Sequence, residues 1–247
     1  MFKNERQSFI IKQINLHNKV LSSELSVKLN VSEDTVRRDL AELAEAGEII
    51  KVHGGALSKS YHYPIQQNLS YAVEAKKEIA KKAVKLIQPG MTLLTEAGTT
   101  MLEMVRMIPD TMEGTFFTVS PLMALELAAH PGLNVIVIGG KIDYTSQINI
   151  GERPISELAD IRVDLCFLGA HGLDSKEGLS ESEWNVTQVK KAMIKSASKL
   201  AVITISEKLN SIFKMKLCPI QDIDYLVTEL DPNDKKLKPY KKNMQVI

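Results

Sequence analysis

Past residue 90 the chain repeats one pattern: a short apolar run, a break at glycine or serine, then a stretch with helical spacing. The runs lie at 91–95, 115–119, 134–138, 163–168, 200–205 and 225–228, with helical stretches at 100–107, 121–129, 155–160 and 186–198. That alternation predicts a mainly parallel sheet covered by helices, because each parallel crossover needs an element to carry the chain back. A further helix is expected from residue 72 through Glu78, Ile79, Ala83, Val84 and Ile87, stopped at Pro89-Gly90. The lysine-rich segment 234–242 reads as a solvated helix face.

In open α/β sheets, ligands gather at the carboxyl ends of the strands. Here those ends carry Glu96-Ala97-Gly98, Val119-Ser120, Gly139-Gly140 and Gly169-Ala170-His171-Gly172. Gly98-Thr99-Thr100 follows a strand and opens a helix, so its N–H groups, the positive helix end and two hydroxyls suit a phosphate. A threonine cap would look the same. Gly139-Gly140-Lys141 lets backbone approach a ligand and adds a cation, although Lys141 is equally suited to solvent. Glu96, Ser120, Gly169, His171 and Gly172 complete the candidate site; His171 reads either as a donor to a sugar hydroxyl or phosphate, or as a structural histidine.

The first 57 residues follow a different pattern. Helical spacing appears at 6–17, with Phe9, Ile10, Ile14 and Leu16, and again at 21–29, where a serine cap candidate precedes Leu25 and Leu29. A third helix opens at Ser32-Glu33-Asp34-Thr35, a capping serine followed by acids that favour the positive helix end. Val36, Leu40 and Leu43 form its buried stripe and Gly47 ends it. Residues 49–53 read as a strand, and Gly54-Gly55 as the bend of a wing. The expected organisation is a small N-terminal winged helix-turn-helix domain (1–57), a linker (58–71, holding Pro64) and an α/β domain (72–247).

At 247 residues, with 44% hydrophobic and 25% charged residues, the chain holds enough apolar material for a core without staples. Cys166 and Cys218 form no metal-ligand pattern, and Cys166 reads as a buried thiol; no metal or cofactor is expected. The charged start lacks a signal core and no run is long enough to span a membrane, so the cytoplasm is the expected location. The net charge of +1 gives no global pull toward nucleic acid, so DNA binding must be local.

Locally the case is good. With Val36, Leu40 and Leu43 turned inward, Asp34 and Arg38 point outward, flanked by Thr35 and Arg37. Two arginines and short polar groups at an exposed helix start suit the major groove, while Lys51 and His53 on the wing suit the adjacent backbone. The competing reading leaves Arg37 and Arg38 solvating a surface helix and pairing with Asp34 or Glu42. The acids Glu33, Asp34, Glu42 and Glu45 argue against loose binding.

The run Val31-Ser32-Glu33-Asp34-Thr35-Val36-Arg37-Arg38-Asp39-Leu40, then Leu43, Gly47 and Lys51-Val52-His53-Gly54-Gly55-Ala56, resembles the signature of the DeoR family of bacterial transcription regulators. The resemblance continues through Ala97-Gly98-Thr99-Thr100, Ile138-Gly139-Gly140, Phe167-Leu168-Gly169-Ala170 and Val189-Lys190-Lys191-Ala192-Met193-Ile194. It implies a repressor that binds double-stranded operator DNA as a homo-oligomer, dimer or tetramer. It also implies a C-terminal domain that resembles sugar-phosphate isomerases and binds a phosphorylated sugar. Lys208 matches a position where relatives carry lysine, suited to pairing with the phosphate. Relatives have Asp at Glu96, Asn at Val119, Asp at His171 and Asp at Ile205, so the ligand here need not be the usual one. Two other readings stay open: an isomerase using Glu96 and Glu183 as acid and base, and an α/β domain that only oligomerises.

Overall fold

The computed structural model describes residues 1–17, 19–58 and 72–247. Contacts divide the chain into Met1–Tyr71 and Ala72–Ile247. Of the expected linker, Ser58 ends a strand and the rest lies outside the described residues.

In the first unit α1 (Lys3–His17), β1 (Lys19–Leu21), α2 (Ser22–Leu29), α3 (Glu33–Glu45), β2 (Ile49–Val52) and β3 (Gly55–Ser58) follow in order. Ile10 and Ile14 of α1, Leu25 and Leu29 of α2, and Val36, Leu40 and Leu43 of α3 meet in one core. Ser32 caps α3, its Oγ accepting the Thr35 N–H at 3.2 Å. At the other end Gly47 turns left-handed (φ 71°), Glu48 N–H reaches Leu43 O at 2.9 Å and Gly47 N–H reaches Ala44 O at 3.0 Å. That pair of bonds satisfies carbonyls the helix would leave open. Asp39 is buried and takes Arg6 in a two-pronged pair, Nε–Oδ2 2.5 Å and Nη2–Oδ1 3.1 Å, which clamps α1 to α3.

Two local expectations need correction. No serine side chain caps α2: Leu21 holds the cap position, and the Ser22 N–H donates to Gly54 O at 2.8 Å, so the wing does the capping. The strand β1 was not expected, because three residues carry no measurable alternation. It joins the antiparallel sheet β1-β3-β2 through a close approach at Gly55, where a Cβ would sit 2.0 Å from Val20 O.

The second unit opens with α4 (Val73–Ala83) and continues through β4 (Thr92–Thr95), α5 (Thr99–Arg106), β5 (Gly114–Thr118), α6 (Pro121–Leu127) and β6 (Leu133–Val137). A small hairpin, β7 (Lys141–Ile142) and β8 (Asn149–Ile150), leads to α7 (Glu152–Ala159) and β9 (Leu165–Gly169). Then come β10 (Gly172–Asp174), β11 (Gly178–Glu181), α8 (Trp184–Lys195), β12 (Leu200–Ile203), β13 (Met215–Cys218), β14 (Tyr225–Val227) and β15 (Gln245–Val246). Seven strands form one parallel sheet in the order β15-β14-β12-β9-β4-β5-β6. All six expected strands lie in it. The antiparallel sheet β10-β11-β13 was not expected; its strands are three or four residues long, and two of them open on Gly. Cys166 and Cys218 are both free and buried, and burial pushes both thiols up, Cys218 to about 12.

The lysine-rich tail is also corrected. It is not a solvated helix face: a 3₁₀ turn, Lys235–Leu237, delivers Leu237 and Tyr240 to the interior, both fully buried. The Tyr240 hydroxyl donates to Leu173 O and accepts the Asn210 N–H, each at 3.1 Å. Those bonds tie the tail to β10.

Gly55→Ala should destabilise the first unit by about 1–3 kcal/mol, the usual range for forced overpacking. Thermal unfolding of that unit checks it; an unchanged midpoint would mean that β1 tolerates displacement.

Candidate functional site

The first unit presents an exposed helix start that carries two arginines and two acids. Capped by Ser32, α3 holds Glu33, Asp34, Thr35, Arg37 and Arg38 on its outer side while Val36 and Leu40 fill the core. The Arg37 and Arg38 side chains are 62% and 80% exposed. Each pairs four residues back, Arg37 with Glu33 at 3.1 Å and Arg38 with Asp34 at 2.9 Å. Exposed pairs of this kind are worth well under about 1 kcal/mol and yield readily to a phosphate or guanine. Glu42 is not their partner; it pairs with Lys3 and Gln7. On the wing, Lys51 and His53 are exposed on either side of Val52.

In the second unit the carboxyl ends of β4 and β9 meet in a buried ionic cluster. Glu96, just past β4, accepts the Gly169 N–H at 2.5 Å through Oε1 and faces Lys190 Nζ at 3.0 Å through Oε2. Lys190 reaches Glu181 at 2.8 Å, and Glu181 in turn meets His171 Nδ1. Burial raises the pKa of Glu96 against the opposing pull of Lys190. Burial also works against charge on Glu181 and Lys190, but their mutual attraction outweighs it, lowering Glu181 and raising Lys190.

Lys208 lies near the same cluster, and Lys76 lies near Lys208. Lys208 stands on the 3₁₀ turn Ser206–Lys208, which Glu229 holds by accepting the Ser206 N–H and hydroxyl. Burial lowers its pKa, and Lys190 lowers it further. Lys76 on α4 is pushed down to about 8, first by burial and then by Lys208. Close by in sequence, Gly98 at φ 148° opens α5 with no side-chain cap, which leaves the first N–H groups of that helix for an anion or water. Thr99 and Thr100 are half-buried there.

Other expected site residues have structural explanations in the folded unit. Ser120 is buried and caps α6, accepting the Met123 N–H at 3.4 Å. A Cβ on Gly140 would press on Pro154 at 3.0 Å, and the Gly139 N–H donates to Glu157 at 3.3 Å. Lys141 is exposed. A Cβ on Gly172 would strike Ser211 O at 2.6 Å. Val119 and Ile205 lie in the core. Glu183, offered as a catalytic partner for Glu96, is exposed at the start of α8. Among the described residues no His, Cys, Asp and Glu group is arranged to hold a metal, and no helix is long and apolar enough to cross a membrane.

Sequence reading missed Lys190, Glu181 and Lys76 as site residues. A signal existed for the lysines. Lys190 sits on the buried stripe Val186, Val189, Met193 of α8, and Lys76 on the stripe Ile79, Ala80, Ala83 of α4. A lysine in an apolar stripe must find a counter-charge or titrate. Glu181 gave no signal, because β11 itself was not recognised.

A helix-turn-helix with an exposed arginine pair, joined to an α/β unit with ionic groups at its strand ends, defines a DNA-binding transcription regulator with a sensor domain. The chain belongs to the DeoR family: residues 6–61 match the DeoR-like helix-turn-helix domain, and residues 71–230 the DeoR C terminal sensor domain. It is 32% identical to the HTH-type transcriptional regulator GolR of Listeria innocua, over 93% of this chain and 91% of that one. Against the HTH-type transcriptional repressor GlcR of Bacillus subtilis identity is 29%, over 94% and 91%. Against the glycerol-3-phosphate regulon repressor of Escherichia coli it is 27%, over 94% and 93%. A solved tetrameric eIF2B-β2-δ2 complex from C. thermophilum superposes with TM-score 0.50 at 16% identity, covering 72% of this chain and 63% of that chain. That likeness concerns the fold alone.

Lys190→Met leaves two buried carboxylates without their shared cation and should cost about 3–5 kcal/mol. Urea unfolding of the full chain measures it. A loss below about 1 kcal/mol would mean that the carboxylates are neutral in the folded protein.

Proposed function

We propose that the chain is a cytoplasmic repressor whose sensor unit binds a phosphorylated sugar at the carboxyl ends of β4, β9 and β12. Ligand occupancy there sets how tightly the first unit holds an operator duplex. Ser32, Glu33, Asp34, Thr35, Arg37 and Arg38 face the major groove, and Lys51 and His53 the flanking backbone. One reading helix per chain covers only a half-site, so the working form is a homo-oligomer.

The observation that carries the ligand reading is the charge balance of the cluster. Lys190 is committed to Glu96 and Glu181, whereas no carboxylate lies within ion-pair distance of Lys208 among the described residues. Lys208 lowers Lys76, and Lys190 lowers Lys208, as like charges do, and a phosphate dianion relieves that repulsion. The uncapped start of α5 at Gly98, Thr99 and Thr100 supplies N–H donors for the same anion. A relative named the glycerol-3-phosphate regulon repressor agrees with a phosphorylated ligand.

Catalysis is not part of the proposal. Both oxygens of Glu96 are engaged, by Gly169 N–H and Lys190, and Glu183 stands exposed at a helix start. Neither is placed to shuttle a proton between sugar carbons.

Arg38→Ala should cost about 1–3 kcal/mol of specific operator binding, whereas Lys51→Ala should weaken all duplexes alike and reduce the salt slope by about 1. Fluorescence anisotropy across a salt series checks both. Unchanged specificity in Arg38→Ala moves base reading elsewhere on α3.

For the sensor unit, sugar phosphates should raise the melting temperature, and Lys208→Ala should weaken them at least about tenfold. Because Lys76 titrates near 8 in the free protein, an anion that restores its charge takes up a proton above that pH. Affinity should therefore fall as pH climbs through 8 toward the ordinary lysine value of about 10.4. Calorimetry at pH 9 in buffers of different ionisation enthalpy detects the proton. If no sugar phosphate shifts melting at all, the sensor unit serves oligomerisation instead.

A further inference from the structure

The parallel sheet of the second unit ends in two unlike ways. On one side its last strand is β15, only two residues long. On the other it is β6, Leu133-Asn134-Val135-Ile136-Val137, which holds neither a charge nor a proline. A very short edge blunts strand-to-strand association, whereas a longer apolar edge invites it. Ile136 and Val137, on opposite faces of the strand, are 39% and 45% exposed. Leu125 on α6, which packs on β6, and Ile142 in β7 are more exposed still. Tyr144 follows in the same stretch, and outside it only Trp184 and Ile212, among the described residues of the unit, are large hydrophobics so exposed.

The backbone of β6 is half used. Val137 is the register partner of Thr118, and the Ile138 N–H donates to Thr118 O at 2.9 Å. In a parallel pair alternate residues bond to one neighbour, so Asn134 and Ile136 turn their groups to β5, and Val135 and Val137 turn theirs outward. Among the described residues those outward groups have no partner. Leu133 also turns outward, but its N–H already donates to His130 O at 3.2 Å, which leaves its carbonyl. A second β6 laid antiparallel, with Val135 facing Val135 and Leu133 facing Val137, meets every one of these groups with its complement.

The two ends of the edge differ in charge. A Cβ on Gly132, just before β6, would sit 3.4 Å from Glu113 Cγ, and one on Gly139, just after it, 3.4 Å from Arg153 Cζ. Glu113 is exposed. Arg153 is 75% exposed and pairs with Glu157 at 2.7 Å, a surface pair that yields readily. Antiparallel pairing brings the Glu113 end of each copy to the Arg153 end of the other, whereas parallel pairing sets like ends together.

We propose that β6 is a seam between two copies of this chain, paired antiparallel about a two-fold axis at Val135 so that their parallel sheets continue into one. This rests on the homo-oligomer of the proposed function and adds where its subunits meet. The occupant is a second copy because the edge complements itself both in hydrogen-bond register and in end charge. A two-fold pairing also closes on itself, consuming both edges and supplying a second α3 for the other half-site.

The test uses the full-length protein in sedimentation equilibrium. Val135→Pro removes the N–H at the axis, a change that an unpaired edge tolerates. It should raise the dissociation constant of one association step at least about tenfold, with the far-ultraviolet circular dichroism unchanged. Val137→Lys leaves the backbone intact and should act in the same direction, which guards against a local distortion by the proline. Because Cys166 and Cys218 are buried, oxidation should give a covalent dimer from Val135→Cys and none from Lys235→Cys, a control on the exposed tail. An association constant that either substitution at the edge leaves unchanged, or a Val135→Cys chain that cross-links no better than the control, overturns the proposal while the homo-oligomer stands; a foreign strand or another segment of the same chain on this edge gives that result. If the unaltered chain is monomeric at every concentration, the homo-oligomer reading falls and this proposal with it.

Discussion

Lys190 carries a full charge into the interior from a buried helix face that it shares with Val186, Thr187, Val189 and Met193, and divides it between Glu181 at 2.8 Å and Glu96 at 3.0 Å. Taking an ammonium and two carboxylates out of water costs several kcal/mol per ion before any attraction is counted. Such a group persists only if the geometry over-determines it. Here Gly169 N–H fixes one oxygen of Glu96 and His171 fixes one oxygen of Glu181. The cluster therefore joins the ends of two central parallel strands to the antiparallel sheet beside them and to α8. Positions such as Gly169, where a Cβ would sit 3.2 Å from Glu96 Oε1, follow from that arrangement as much as from any ligand.

Around this fixed cluster the remaining lysines have a different status. Lys190 is neutralised by its partners, and burial alone would have driven its proton off. Lys76 and Lys208 show the opposite shift, downward: burial leads for both, joined by Lys208 in the case of Lys76 and by Lys190 in the case of Lys208. An anion bound there, as proposed, relieves the repulsion between these like charges. Relief of that repulsion is a free-energy difference between occupied and empty states, which is the quantity a sensor domain must pass to its DNA-binding partner.

The helix α3 solves a related problem by simpler means. Arg37 and Arg38 stay in water, each held loosely by an acid one turn back, so presenting them costs little stability. Rigidity comes from elsewhere: the buried Arg6–Asp39 pair, the Ser32 cap and the left-handed turn at Gly47 set the angle and length of α3. The exposed arginines and the residues that support them are thus separate sets. The same acids that pair with the arginines also repel phosphates, which disfavours loose association with arbitrary duplexes.

What the sequence determined by itself were features encoded over a few neighbouring residues. The 3.6-residue stripe of α3, its serine cap and its glycine stop are local, and so is the alternation of apolar runs and helices that makes a parallel sheet. Tertiary structure alone decided which charges meet. Glu96, Glu181 and Lys190 come from a strand end, an unrecognised short strand and a helix interior, and no spacing rule links them. β1 can pair because Gly55 has no Cβ, which would sit 2.0 Å from Val20 O, and the lysine-rich tail turns inward because Tyr240 finds Leu173 and Asn210. Periodicity reports which face of an element is buried; it carries no information about the partner buried against it.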